Sequence, residues 1–191
     1  FFLRCDEFFD RPAVFGEKGK PYADNAARFI FFSKAAVELA RRMTPTPEVL
    51  HAHDWPVALV PVLVREQGLP FHPVLSVHHL AEQGSFPASD FSLTNLPARY
   101  FEPAGVEFFG QLNLLKGGIR FADRIVFPSE PYAHAVLTEP DGEGLEIVLR
   151  ENAPSLAGIL PGAEIDRWNP AHDPFLPARS APGALAWNAT P

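Results

Sequence analysis

The chain has 191 residues, of which 47% are hydrophobic and 20% are charged, a composition that excludes a wholly disordered protein. Its 16 basic against 23 acidic residues give a formal net charge of −7, whereas nucleic-acid-binding proteins normally carry a basic excess. This acidic excess leads us to expect no nucleic-acid partner. No apolar stretch approaches the ~20 residues that cross a bilayer, so we also expect no membrane span. The single cysteine, Cys5, cannot form an internal disulfide and favours a cytoplasmic location.

Residues 1–22 are rich in aromatic and turn-forming residues and predict a loop that buries aromatic side chains. A helix is predicted next, with Asp24 or Asn25 as its N-cap and a Thr-Pro-Thr-Pro stop after Met43. Apolar residues recur along it at steps of three and four, which is helical spacing: Phe29, Phe32, Ala36, Leu39 and Met43.

Short apolar runs, each ending in polar or turn-forming residues, predict strands over residues 48–54, 73–79, 123–127 and 156–160. A helix from Trp55-Pro56 to Gly68 follows the first run, and Pro61 inside it indicates a kink or a later start. Further helices are predicted over residues 110–121, 131–137 and 144–150.

Apolar strands that alternate with helices are typical of a parallel sheet covered on both faces. We therefore predict an α/β fold, a Rossmann-like open parallel sheet with helices on both faces. Ligands bind such sheets beyond the carboxyl ends of the strands, and polar residues accumulate there in this chain. The sequence thus predicts a functional edge built from the segments HAHDW and VHHL and the turn after Leu160.

Four histidines in these segments resemble a metal site at first sight: His51, His53, His78 and His79. Residues two apart on a strand share a face, so the first two of them could reach one ion. However, the helical zinc motif is absent, no cysteine assists and nothing supplies a fourth ligand. We therefore predict no metal site and favour a packed or hydrogen-bonded histidine cluster.

Two residues of this edge each have two possible roles. His78 either hydrogen-bonds a substrate hydroxyl or caps the strand end, and Asp54 either N-caps the following helix or faces a ligand. Lys116-Gly117-Gly118 lacks the spacing of a phosphate-binding loop, so its glycines indicate close helix packing or a bend.

Several segments together resemble one protein family. In chain order they read DRPAVFG, YADNAARFIFFSKAAVEL, VLHAHDW, VHHLAEQG, LPARYFEPAGVEFFGQLNLLKGGIRFADRIV, GEGLEIVLRE and LAGILPGAEIDRWNPAHDP. The same order and similar spacing occur in bacterial glycogen synthases and plant starch synthases. The chain is similar to the later part of their N-terminal catalytic domain. We therefore expect a partial catalytic domain over residues 1–173, and a linker or disordered tail over the Pro- and Ala-rich residues 174–191.

The resemblance implies a GT-B glycosyltransferase, in which two Rossmann-like domains face a cleft. That family moves glucose from ADP-glucose to the non-reducing end of an α-1,4-glucan, with retention at the anomeric carbon and without a metal or other cofactor. The implied partners are thus ADP-glucose and an α-glucan acceptor, and the implied compartment is the cytoplasm, or the plastid for a plant protein.

The resemblance also implies roles for individual residues. The histidine of the family motif HNLAYQG falls on His78, whose implied catalytic role is to position and hydrogen-bond the donor glucose. Asp54 and Trp55 correspond to the Asp and Trp of the HDW motif and are implied to bind substrate, together with Gln83 and Gly162.

The chain departs from the family pattern at three positions and at both ends. His79, Glu82 and Pro161 replace the usual Asn, Tyr and Asn. The phosphate-binding KTGGL segment and the C-terminal domain are absent, so we expect no synthase activity from this chain alone. The alternatives are a divergent non-catalytic relative that binds glucan or a partner, and a GT-B transferase with another nucleotide-sugar donor.

Overall fold

The computed structural model describes residues 1–164 and 166–176. Its helices, in chain order, are α1 (Asp6–Phe9), α2 (Asn25–Arg42), α3 (Leu59–Glu66), α4 (Leu114–Phe121), α5 (Glu130–Ala135) and α6 (Glu146–Glu151). Its strands are β1 (Gly16–Glu17), β2 (Lys20–Pro21), β3 (Val49–His53), β4 (His72–Ser76), β5 (Ser85–Pro87), β6 (Glu107–Phe108), β7 (Gln111–Asn113), β8 (Arg124–Phe127) and β9 (Leu156–Gly158). Short 3-10 turns cover Trp55–Val57, Ala88–Thr94, Ala98–Tyr100 and Ala153–Ser155.

A parallel four-stranded sheet with the order β3-β4-β8-β9 forms the centre of the fold. All four strands were predicted from their short apolar runs, and their ends differ from the predicted ones by no more than three residues. In the register of β3 and β4, His53 lies opposite Ser76, so the two strands end side by side. The predicted α/β fold with a parallel sheet is confirmed.

The second sheet was not predicted. It is antiparallel, with the order β5-β7-β6, and β7 occupies the start of the segment for which the sequence predicted a helix over residues 110–121. The helix begins only at Leu114, because the Asn113 side chain accepts a hydrogen bond from the Lys116 N–H and caps the first turn. The pairing of β7 with β5 joins residues distant in sequence, and the β6–β7 hairpin has strands of only two and three residues, so local spacing reveals neither.

The helix α2 has the predicted extent. Its buried face, however, does not coincide with the apolar residues whose spacing predicted the helix. Its most buried apolar side chains are Ala26, Phe29, Ile30, Val37 and Ala40, whereas Leu39 is 39% exposed. Phe32 and Ala36 instead line a cavity of about 580 Å³ that lies between α2 and the outer edge of β3.

Proline and glycine positions agree with the observed packing. Pro61 is the third residue of α3, in the first helical turn, where its missing N–H breaks no helical hydrogen bond. The later start of this helix is therefore the correct alternative. A Cβ on Gly118 would lie 2.8 Å from the Ala58 carbonyl oxygen, so close packing of α4 explains that glycine.

The N-terminal 22 residues contain more structure than the predicted loop, with α1 and the β1–β2 hairpin. Phe1 and Phe2 are exposed, so the expected burial fails for these two aromatic residues. The buried Arg28 of α2 holds the segment in place, since its guanidinium donates to the carbonyl oxygens of Phe8 at 2.7 Å and Val14 at 2.8 Å.

A buried lysine joins α4 to the loop before β6. The Lys116 ammonium donates to the carbonyl oxygens of Pro103 at 2.5 Å, Gly105 at 2.8 Å and Glu107 at 2.6 Å. Only 2% of the residue is exposed, and burial, with the Arg120 charge adding to it, lowers the pKa of Lys116 to about 8. We call this group the Lys116 anchor.

The chain divides into two compact units, Phe1–Ile159 and Leu160–Pro191. The predicted boundary at residue 173 stays a prediction, and residues 177–191 of the predicted tail lie outside the described residues. Within the described residues, no helix is both long enough and apolar enough to cross a membrane.

Candidate functional site

The neighbouring ends of β3 and β4 bring Asp54 and His78 together. The Asp54 N–H donates to the Ser76 carbonyl oxygen at 2.8 Å, which extends the pairing of the two strands by one residue. Asp54 has φ +57° and ψ −174°, a region that residues other than glycine rarely occupy. The strand pairing holds this strained backbone in place and directs the chain into the Trp55–Val57 turn.

The carboxylate of Asp54 binds the tip of the next strand. Its Oδ1 accepts hydrogen bonds from the backbone N–H of His78 at 2.6 Å and of His79 at 3.3 Å. The side chain makes no capping bond to the Trp55–Val57 turn, so the N-cap alternative is wrong. The bonds to Oδ1 leave Oδ2 as an acceptor, and Asp54 is half-buried rather than sealed.

Three imidazole rings lie at the ends of the same two strands. The Nδ1 of His53 lies 3.1 Å from the Nε2 of His78, while His51 and His53 share one face of β3 with ring centroids 4.2 Å apart. The Nε2 of His51 lies 2.7 Å from the Ser76 hydroxyl. Burial lowers the pKa of His51, and the charges of His53 and His78 lower it further.

Three of the four histidines, His51, His53 and His78, are thus joined by ring packing or a hydrogen bond, whereas His79 contributes its backbone N–H. Among residues 1–164 and 166–176, no group of three or more His, Cys, Asp or Glu side chains is arranged to hold a metal ion. His53 and His78 are both exposed, so a ligand can approach the cluster from solvent. We call Asp54, His53 and His78 the strand-end site.

Trp55 lies beneath this site. It is 7% exposed and packs against Phe15, Phe29 and Phe86. Gly84, with φ +61°, lies against the indole, and a Cβ on it would lie 2.5 Å from Cε3 of Trp55. The Trp55 ring therefore supports the strand-end site from the core, and the last glycine of VHHLAEQG is needed for that contact.

Gln83 is half-buried, and both ends of its amide bind protein groups. Its Nε2 donates to the Glu143 carbonyl oxygen at 2.8 Å, and its Oε1 accepts from the Asn113 side chain at 2.7 Å. The amide joins the loop after β4 to the end of β7. One N–H and one lone pair of the amide stay available beyond these bonds.

Gly162 belongs to the unit Leu160–Pro191, where it is exposed. A Cβ on it would meet no atom within 4 Å, so the space around Gly162 does not require a glycine. His79 and Glu82, two of the departures from the family pattern, are exposed side chains. The contact of His79 to Asp54 uses its backbone N–H and is therefore independent of its side chain.

Sequence reasoning paired His53 with His51 and missed its bond to His78. The spacing of two residues correctly placed His51 and His53 on one face. The strand register supplies the missing signal, because His53 opposes Ser76 and the chain reaches His78 two residues later. Without the register, the two rings could not be assigned to each other.

Comparisons with known proteins identify the relatives of this chain. The family model for the starch synthase catalytic domain matches residues 1–151. The glycogen synthase of Opitutus terrae is 43% identical over 97% of this chain and 40% of its own length. The glycogen synthase of Thermodesulfovibrio yellowstonii is 41% identical over 92% of this chain and 37% of its own length.

A solved structure shows the same fold. The catalytic domain of starch synthase IV from Arabidopsis thaliana, bound to ADP and acarbose, superposes with a TM-score of 0.76 and 32% identity, over 92% of this chain and 36% of that chain. This likeness confirms the predicted Rossmann-like fold of the GT-B type. The chain spans about two fifths of the length of the relatives it matches. On the family match and these identities, the chain belongs to the starch synthase catalytic domain family.

Proposed function

We propose that this chain forms one wall of the active site of a retaining glucosyltransferase, which moves glucose from ADP-glucose to the non-reducing end of an α-1,4-glucan. The observation that carries the proposal is the strand-end site, where Asp54 and His78 meet at the ends of adjacent parallel strands. Parallel α/β sheets bind their ligands at such ends. Family membership and the ADP-bound relative support the nucleotide-sugar donor.

In the proposed reaction, the bond between glucose C1 and the ADP oxygen breaks and ADP departs. C1 bonds to a hydroxyl oxygen of the glucan, and the departing diphosphate takes up the proton of that hydroxyl. The transition state resembles an oxocarbenium ion, so it is stabilised by polar groups held in fixed orientation. His78 supplies such a group, because its backbone is held by Asp54 and its ring by His53.

The remaining predicted residues have supporting roles in this proposal. Asp54 holds the His78 backbone through Oδ1 and offers Oδ2 to a sugar hydroxyl. Trp55 and Gln83 fix the two loops that carry the site. Gly162 is proposed as a backbone contact to substrate, and residues 174–191 as a linker. A cytoplasmic location remains part of the proposal, supported by the free Cys5.

A chimeric enzyme tests the proposal. Residues 1–176 of this chain replace the matching segment of the Opitutus terrae glycogen synthase, and glucose transfer from ADP-glucose to glycogen is measured. We expect turnover that falls about a hundredfold in the His78→Ala chimera. The exposed His134 of α5 lies outside the site, so His134→Ala should leave the rate unchanged.

The chain by itself should show no turnover with ADP-glucose and glycogen. Equal rates in the His78→Ala and unmodified chimeras would refute the proposal. A folded chimera that binds glycogen but transfers glucose from no donor would support the non-catalytic alternative, motivated by Pro161, His79 and Glu82. Transfer from UDP-glucose alone would support the other donor.

A further inference from the structure

We propose that His53 is a positioning residue for His78, which fixes the ring of His78 and reserves its Nδ1 for the substrate. This inference rests on the proposed function, since it concerns the histidine placed at the donor sugar. Its basis is the contact between Nδ1 of His53 and Nε2 of His78 at 3.1 Å.

The geometry of the two rings is that of a hydrogen bond. Their planes are only 6° from parallel and their centroids are 5.4 Å apart. Stacked rings keep their atoms about 3.5 Å apart or more, so a nitrogen–nitrogen distance of 3.1 Å places these rings edge to edge. The contact therefore fixes how the ring of His78 is turned about its side-chain bonds.

The bond also restricts the proton on His78. A neutral imidazole has one N–H and one lone pair, and the bond needs an N–H on one ring and a lone pair on the other. Because Nε2 of His78 is committed to His53, the bond excludes every arrangement in which both facing nitrogens carry a proton or both lack one. Nδ1 of His78 is therefore the ring nitrogen left for a substrate hydroxyl.

The two restraints on His78 come from consecutive residues of the neighbouring strand. Asp54 binds its backbone N–H and His53 binds its ring. The titratable groups beside His78 are thus His51, His53 and Asp54 at the end of β3, and His79 next to it in the chain. Among these, His53 makes the ring contact with His78.

Nitrogen-15 NMR of the histidine rings in this chain tests the inference, because protonated and unprotonated ring nitrogens differ widely in chemical shift. We expect the balance between the two neutral tautomers of His78 to differ between the unmodified chain and His53→Phe, which keeps an aromatic ring against His51 but cannot hydrogen-bond. His53→Asn retains a polar atom near the position of Nδ1 and should return the balance toward that of the unmodified chain. His134→Ala is the control without effect.

The same variants in the chimera connect the ring to turnover. His53→Phe should lower kcat about tenfold to a hundredfold with little change in KM for glucan, and His53→Asn should recover most of it. A balance of His78 tautomers that His53→Phe leaves unaltered would overturn the inference. A chimera without turnover refutes the proposed function instead, and the NMR result still decides the role of His53.

Discussion

The strand-end site and the Lys116 anchor both use side chains to bind backbone groups, but they differ in how many hydrogen-bonding atoms of those side chains stay unused. In the anchor, three N–H groups of one ammonium meet three carbonyl oxygens, and the lysine is 2% exposed. In the strand-end site, Asp54 uses one carboxylate oxygen for backbone N–H groups and His78 uses one ring nitrogen, while the histidine rings face solvent. A polar group with all its bonds satisfied stabilises the fold, whereas unused acceptors at an open edge can bind a ligand.

Breaking the anchor should have the largest effect on stability. Lys116→Met leaves three carbonyl oxygens without their donor, so we expect the free energy of unfolding at pH 7 to fall by about 2–4 kcal/mol. Urea denaturation measures it. Lys20→Met, at an exposed lysine, is the matched control and should change stability by less than about 0.5 kcal/mol.

The pH dependence of stability, compared between the unmodified chain and Lys116→Met, sharpens this result. The pKa of Lys116 is about 8 in the folded chain against an ordinary value of 10.5 for lysine, so between these pH values the unfolded chain binds more protons. The unmodified chain should therefore gain stability relative to Lys116→Met as the pH rises through this window, by up to about 1.4 kcal/mol per pH unit. Parallel curves for the two proteins would contradict the burial of the ammonium.

Backbone strain at Asp54 predicts that substitution by glycine destabilises the chain less than substitution by alanine, the reverse of the usual order. Asp54→Ala and Asp54→Gly both remove the carboxylate, but glycine adopts φ +57° freely and alanine does not. We expect Asp54→Gly to be more stable than Asp54→Ala by about 1–2 kcal/mol in thermal or urea unfolding. The opposite order would show that the backbone of residue 54 relaxes once its carboxylate is gone.

A substitution in the β6–β7 hairpin beside the Lys116 anchor should have a smaller effect, and it should stabilise the chain. Phe109 has φ +48° and is 88% exposed, and a bulky residue is unfavourable at such a turn position. Asn tolerates the conformation, so Phe109→Asn should raise the free energy of unfolding by about 0.5–1 kcal/mol. Phe108→Asn, at the half-buried neighbour, should lower it. A loss of stability in Phe109→Asn would contradict the strain.

The sequence predicted those parts of the fold that depend on local pattern. Apolar runs and helical spacing located α2 and the four strands of the parallel sheet, and polar residues at strand ends located Asp54 and His78. The strand β7 was missed because its pairing with β5 joins distant residues and because β6 and β7 are too short to show a strand pattern, although Asn113, three residues before Lys116, is a helix-capping signal.

The bonding within the site could not be predicted, because it depends on strand register and on backbone conformation. The sequence predicted that Asp54 either caps a helix or faces a ligand. In the structure its Oδ1 accepts a hydrogen bond from the backbone at the end of the next strand, and its backbone has a positive φ that the sequence does not reveal. Gln83 appeared only as a substrate contact, while both ends of its amide join two loops.

Asp54 and His78 act as one unit on substrate in the proposed function, and a double-mutant cycle in the chimera measures their coupling. We expect Asp54→Ala and His78→Ala each to lower kcat/KM about a hundredfold, and the double variant to stay within about tenfold of the weaker single variant. A loss in the double variant equal to the product of the two single losses, about ten-thousandfold, would mean that the residues act independently and would contradict the account.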